Sequence, residues 1–349
     1  MNDLVPAPSP RKILTAISPA AWEHPADRAA LQALRALPGV DDVFRKILGL
    51  LGGERGVRLL FQANAVRVGP SQLPRLWQLH LETCATLDCS AIPELYVSQQ
   101  PFFNAGTYGV DRPFIVLRSA ALELLDEAEM RVLLGHELGH ALSGHALYRT
   151  MAEFFLRLGF SALPVLAGLA FLPVQVAVLE WYRKSELSSD RAGLLASQEP
   201  VASRKLFMKM AGGLRSSALG GELELDAFMA QAQEYAENKS LLDQVYKFAY
   251  TMRLTHPMHT VRAGELQQWI ASGAYDRILA GDYRKRGQEE PQRPLREDMG
   301  DAARHYADEA KQTMSQVLDA AADAAEKIRD AFQRARNKGS NSTWDDLFR

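Results

Sequence analysis

The sequence predicts an α+β fold, mainly helical, in which a small sheet is packed by one chemically loaded helix. Three observations predict it. His136-Glu137-Leu138-Gly139-His140 sets two imidazoles four residues apart inside a helical apolar pattern. Leu95-Tyr96-Val97 and Phe114-Ile115-Val116-Leu117, ahead of it, have the β-branched and aromatic content of short strands. Most other apolar residues recur at helical spacing.

The helix that carries the histidines should start at Asp126. This residue is a good N-cap, and Glu129 three positions on completes a capping-box spacing. Met130, Leu133, Leu134, Leu138, Ala141 and Leu142 then form one core stripe. Four residues advance a helix by about 6 Å and return to within roughly 40° of the starting face, so both rings can reach one metal ion. Glu137 lies about 100° round, off the ligand line but close enough to serve a water as general base. That is the H-E-x-x-H arrangement of zinc-dependent peptidases.

The other elements follow in order. Residues 1–24 are expected as an N-terminal arm, with three prolines in the first twelve residues and no apolar run. Asp27 to Leu51 has helical spacing broken at Pro38-Gly39. Arg55 to Val68 reads as strand or helix, and Leu73 to Leu87 as a helix carrying Trp77. Asn104-Ala105-Gly106-Thr107-Tyr108-Gly109 is rich in turn formers. Leu158 to Leu179 is twenty-two residues without a charge. As one helix it would span about 33 Å, enough for a bilayer. A single crossing would separate His140 from Glu186, and Pro164, Gly168 and Pro173 interrupt the run. Buried helices or a shallow membrane-dipping hairpin are the two readings. Ser203 to Gly213 and Leu223 to Ser272 read as helical, closing a main domain over 25–280. A polar linker is expected over 281–298, a long alanine-rich amphipathic helix over 299–337 and a flexible tail over 338–349.

Catalytic zinc needs a third protein ligand. His145 would face about 180° away if the helix continued. The longer motif with a third histidine after a glycine turn is absent, since Ser143 and Ala146 stand where it needs Gly and His. A carboxylate fits better. Glu186 and Asp190, four apart, share one helix face. Glu186 can coordinate while Asp190 accepts from the far ring nitrogen of a ligand histidine. Taken alone, such a pair is also what a solvated helix face looks like.

With these pieces in order, the chain resembles metallopeptidase family 48, which includes HtpX-type and CAAX prenyl proteases. The matching segments are Asn104-Ala105, the His136–His140 motif with Gly144-His145, Ser185-Glu186 through Asp190-Arg191-Ala192, and Thr255-His256-Pro257 followed by Arg262. The resemblance spans roughly residues 25–270 and implies a gluzincin fold. It implies one zinc ion held by His136, His140 and Glu186, with Glu137 as general base and Asp190 behind a ligand. It also implies that His256 and Arg262 stabilise the oxyanion and that Asn104-Ala105 lies on the edge that holds substrate. Membrane members carry several membrane-crossing helices and this chain at most one ambiguous run, which points to the soluble or peripheral branch. The segment beyond residue 280 falls outside the resemblance.

The expected function is a zinc-dependent endopeptidase. The alternative is a catalytically silent or regulated zinc-domain scaffold that recruits partners through its C-terminal helix and tail. Lysine plus arginine is 40 against 42 for aspartate plus glutamate, a formal charge of −2, so no attraction to nucleic acid is implied. Cys84 and Cys89 have no zinc-finger spacing and read as thiols of a reducing compartment. The start resembles neither a secretory signal nor a transit peptide. A cytoplasmic location is expected, with peripheral membrane contact through 158–179 as its variant. The expected partners are a peptide or protein substrate, and a second copy or another protein on 299–337.

Overall fold

Phe114-Ile115-Val116-Leu117 is apolar at every position, so as a strand it must bury both faces. The computed structural model describes residues 11–35, 44–45, 48–49, 52–101, 103–158, 168–213, 222–237 and 258–288. All lie within one unit, Met1–Pro291, and none within the second, Gln292–Arg349. His256, residues 159–167, the linker beyond 288, the helix expected over 299–337 and the tail lie outside the described residues.

Among the described residues the helices are α1 (Pro25–Arg35), α2 (Gly53–Asn64), α3 (Pro74–Thr86), α4 (Ser119–Leu124), α5 (Glu127–Leu142) and α6 (Ala146–Leu158). They continue with α7 (Gly168–Ser197), α8 (Pro200–Gly212), α9 (Leu225–Glu237), α10 (His259–Ala271) and α11 (Ala274–Leu279). The strands are β1 (Val66–Arg67), β2 (Glu94–Ser98), β3 (Ala105–Tyr108) and β4 (Phe114–Arg118), in sheet order β1-β2-β4-β3. β2 and β4 run parallel with Leu95 opposite Ile115, and the outer pairs are antiparallel.

The period of two sorts β4 as its composition requires. Ile115 and Leu117 join Leu95, Leu134 and Leu138 in the main core, toward α5. Phe114 and Val116 join Tyr96 and Tyr108 on the other face, under Val57 and Phe61 of α2. The sheet thus lies between α2 and α5. A third cluster ties α1, α6 and α7 together through Leu31, Leu34, Tyr148, Met151, Trp181 and Tyr182. Burying each such side chain contributes about 1.5–3 kcal/mol.

Four expectations differ from the structure. The segment read as turn-rich, Asn104 to Gly109, contains strand β3, the terminal strand beside β4. Its glycine is accommodated by packing, because a Cβ on Gly106 would lie 2.9 Å from the Tyr108 ring. The N-terminal arm is docked from Arg11 onward. Leu14, Ile17 and Trp22 are core residues, and Ser18 N donates to Arg284 O at 2.9 Å while Arg286 N donates to Ala16 O at 2.7 Å. The same two bonds take Arg284 and Arg286 out of the expected linker. Finally, α7 starts at Gly168 and runs through Pro173, so neither ends a helix there. Near a helix start a proline removes few intrahelical bonds. No helix among the described residues is long and apolar enough to cross a membrane.

Candidate metal centre

Helix α5 starts as its sequence dictates. Asp126 accepts from Glu129 N and Glu129 accepts from Asp126 N, both at 2.9 Å, closing the capping box. The helix does not bury a single stripe. Every residue from Glu129 to His140 is buried, because α5 runs between the sheet, α7 and α8. Small residues let α7 come close. A Cβ on Gly139 would meet the Ala192 Cβ at 2.7 Å, and one on Gly193 would meet Val132 O at 2.7 Å. Side chains of ordinary size here would drive the helices apart, so this seam brings Glu186 on α7 to the histidines of α5.

The approach is close. His136 Nε2 lies 3.2 Å from His140 Nε2, and the Glu186 carboxylate lies 3.5 Å from the first and 3.2 Å from the second. All three are buried, and among the described residues they form the one His/Cys/Asp/Glu group close enough to share an ion. Two imidazole nitrogens and a carboxylate oxygen are a donor set used by catalytic zinc.

Behind His136, Nδ1 donates to Asp190 Oδ1 at 3.0 Å. Asp190 also accepts from Arg262 Nε at 2.8 Å and Nη2 at 2.5 Å. Burial works against a charged His136. The hydrogen bonds and negative charge of Asp190 and Glu186 outweigh it, so the His136 pKa is pushed up to about 9. Burial raises the Asp190 carboxyl, but the Arg262 charge and its hydrogen bonds hold it below the usual range.

The His140 side is built differently. Helix α5 ends at Leu142, and Gly144, at φ +68°, turns the chain before α6. The half-turn geometry of an unbroken helix does not apply to His145, whose Nδ1 lies 3.2 Å from His140 Nδ1. His145 Nε2 lies 3.2 Å from Asp27 Oδ2 on α1, and Asp27 is also held by Trp181 and Ser188 of α7. Beyond the turn, Arg149 Nη1 donates to Glu186 Oε1 at 2.6 Å and to His140 Nε2. Burial and the Arg149 charge hold the His140 pKa well below the ordinary value.

Glu137 lines a cleft of about 400 Å³ with His136, Glu186, Asn104 and Ala105. Its Oε2 lies 2.7 Å from the Thr107 hydroxyl on β3. Arg262 is expected at the oxyanion. It lines the same cleft, is 2% exposed, and has its guanidinium engaged by Asp190 and, at 3.3 Å, Glu186. His259, at the start of α10, also lines the cleft. Sequence reasoning misses Asp27, Thr107 and Arg149 as parts of this centre. No local spacing links them to the motif.

The model of Peptidase family M48 matches residues 70–270, more than half of the chain. The chain belongs to peptidase family M48. The matched range takes in Asn104, the motif, Glu186, Asp190 and Arg262, but begins after Asp27. The plastoglobule-localized metallopeptidase 48, chloroplastic, of Arabidopsis thaliana is 35% identical over 267 residues, 76% of each chain. A protease HtpX homolog of Tropheryma whipplei (strain Twist) is 25% identical over 189 residues, 45% of this chain and 62% of that one. No solved structure matches. Membership of M48 makes the protein a peptidase-family hydrolase, with peptides or proteins as its substrate class.

Proposed function

We propose that this M48 member is a zinc-dependent endopeptidase with Glu137 as its general base. The observation that carries the reading is the convergence of both Nε2 atoms and the Glu186 carboxylate within 3.5 Å, with Glu137 beside them in an open cleft. The residues fit the metal. Asp190 turns the His136 Nε2 lone pair inward, as His145 does for His140, and Glu186 is the third donor. A bound zinc ion would polarise the scissile carbonyl and lower the pKa of a water.

The chain's own residues do the rest. Thr107 holds Oε2 of Glu137, which orients the carboxylate so that Oε1 can take the proton of the attacking water. Glu137 then passes this proton to the leaving amine. Asp190 and Arg262 orient His136. His256 is proposed as donor to the developing oxyanion. Asn104 and Ala105, at the start of the terminal strand β3, would pair with an extended substrate. The Arabidopsis relative is named for plastoglobules. For this chain we propose a cytoplasmic location with peripheral membrane contact through 158–179.

The test is a peptide-library digest with parallel metal analysis on wild type and Glu137→Gln. The variant should retain zinc and lose about 10²–10⁴-fold in turnover. Undiminished cleavage by that variant would refute the base assignment, and wild-type protein that takes up no zinc would refute the metal site.

A further inference from the structure

We infer that Arg149 is a built-in competitor for the metal centre, a cation that must leave His140 before an ion can be held there. The inference rests on the proposed zinc site and goes beyond it to how that site is loaded.

With Nδ1 of His140 engaged by His145, the neutral ring has a single acceptor left, on Nε2. Arg149 Nη1 donates to that atom and, at 2.6 Å, to Oε1 of Glu186. A metal ion needs the same nitrogen and the same carboxylate. Arginine and metal therefore exclude each other at His140. Deprotonation cannot resolve the conflict, since a guanidinium stays charged at any working pH. The side chain has to turn away.

The surroundings provide for two positions. Arg149 is 1% exposed, and its Nη2 has no hydrogen-bond partner, so the observed pose leaves one donor nitrogen unused. The guanidinium stands over the Tyr182 ring, 5.0 Å from its centroid. Glu153, one turn along α6, adds to the negative field at Arg149. Rotation toward Glu153 keeps a carboxylate beside the cation while freeing His140 and Glu186. Arg262, the other arginine near Glu186, reaches that carboxylate at 3.3 Å but makes no described contact with His140, and its Nε and Nη2 are committed to Asp190. A site whose competent form is a minor population binds more weakly in proportion to that fraction. Arg149 thus sets the free-metal level at which the enzyme switches on.

The experiment uses full-length protein stripped of metal and titrated with zinc against a chromophoric chelator. Wild type, Arg149→Met, Arg149→Gln and His140→Ala are compared, with metal-free folding followed by circular dichroism. Removing the charge should tighten zinc binding by about 10–100-fold, as expected when the competent form is about 1–10% populated. Affinity equal to or weaker than wild type in a folded Arg149 variant overturns the inference. A measurement on wild type needs no variant. Its zinc uptake rate should level off at high zinc, because departure of Arg149 becomes limiting, and strictly proportional uptake counts against the latch. Failure of the zinc site itself has a different signature, namely binding that does not depend on His140.

Discussion

His136 and His140 sit one turn apart on the same helix, yet a carboxylate stands behind the first and a second imidazole behind the other. On the His136 side, Asp190 comes from the same helix as Glu186 and is clamped by Arg262. On the His140 side, His145 hands the contact on to Asp27 of α1, and Arg149 donates to His140 Nε2. The two rings are consequently in different states. His136 is basic and His140 is not. A metal ion must displace a proton from one and an arginine from the other. One barrier depends on pH and the other does not.

The largest expected effect comes from breaking the direct side. Asp190→Asn removes the negative charge that His136 and Arg262 share, leaving the buried Arg262 guanidinium with the more distant Glu186 as its remaining carboxylate. Such losses typically cost about 3–5 kcal/mol. Zinc affinity should also fall by about 10–100-fold, the usual consequence of removing a ligand's outer partner. Denaturant unfolding of the metal-free protein and chelator competition measure the two separately. A variant as stable as wild type would show that Arg262 has found another acceptor.

This contrast also decides what could be read before folding. Glu186 and Asp190 are four apart on one helix, so their common face is legible from periodicity alone. The capping box at Asp126 and Glu129 is equally local, as are the strands around Leu95 and Ile115, whose composition matches their double burial. Asp27 has no such signature. It lies far upstream of His136, and only the packing of α1 on α7 brings it to His145. Arg149 depends on the turn at Gly144, whose φ of +68° no spacing rule supplies. β3 is hidden because Gly106 within it and Gly109 just after it dilute its strand character, while the Tyr108 ring covers Gly106 only once the strand has formed. Leu14, Ile17 and Trp22 are too sparse to form a periodic stripe, and what orders them is a backbone pairing with residues far along the chain.

The second effect is a pH dependence that should arise from one side only. In the metal-free chain His136 has its pKa raised from 6.5 to about 9. Below about 9 it holds a proton that zinc must displace. Each pH unit lower then costs about tenfold in apparent affinity, since one pKa unit is 1.36 kcal/mol. Affinity should therefore climb from pH 7 and level off near pH 9. Stability of the metal-free protein should move the other way. The protonated pair's contribution is fully present below 6.5 and is lost as pH rises through about 9. The His140 side adds nothing to the affinity slope, because that ring is already neutral and Arg149 stays charged. Zinc titrations and unfolding curves at several pH values read both slopes. A flat affinity profile would mean that His136 is neutral without metal.

The smallest effect should come from the far end of the relayed side. Asp27→Asn keeps the shape of the buried cluster: its oxygen can keep the bond from Trp181 Nε1, while its NH2 takes the place of Oδ2 beside Ser188, whose hydroxyl can turn to accept. What disappears is the charge that His145 senses, one imidazole removed from the metal ligand. Transmission through a neutral ring should weaken zinc affinity by less than the roughly tenfold lower bound for a directly bonded outer partner. His140 keeps its inward lone pair as long as His145 Nδ1 remains the acceptor. The informative measurement is the ratio of zinc affinities of Asp27→Asn and Asp190→Asn under identical conditions. A ratio near unity would mean that a carboxylate acts as strongly through an intervening histidine as by direct contact, and the asymmetry between the two sides would then be one of geometry alone.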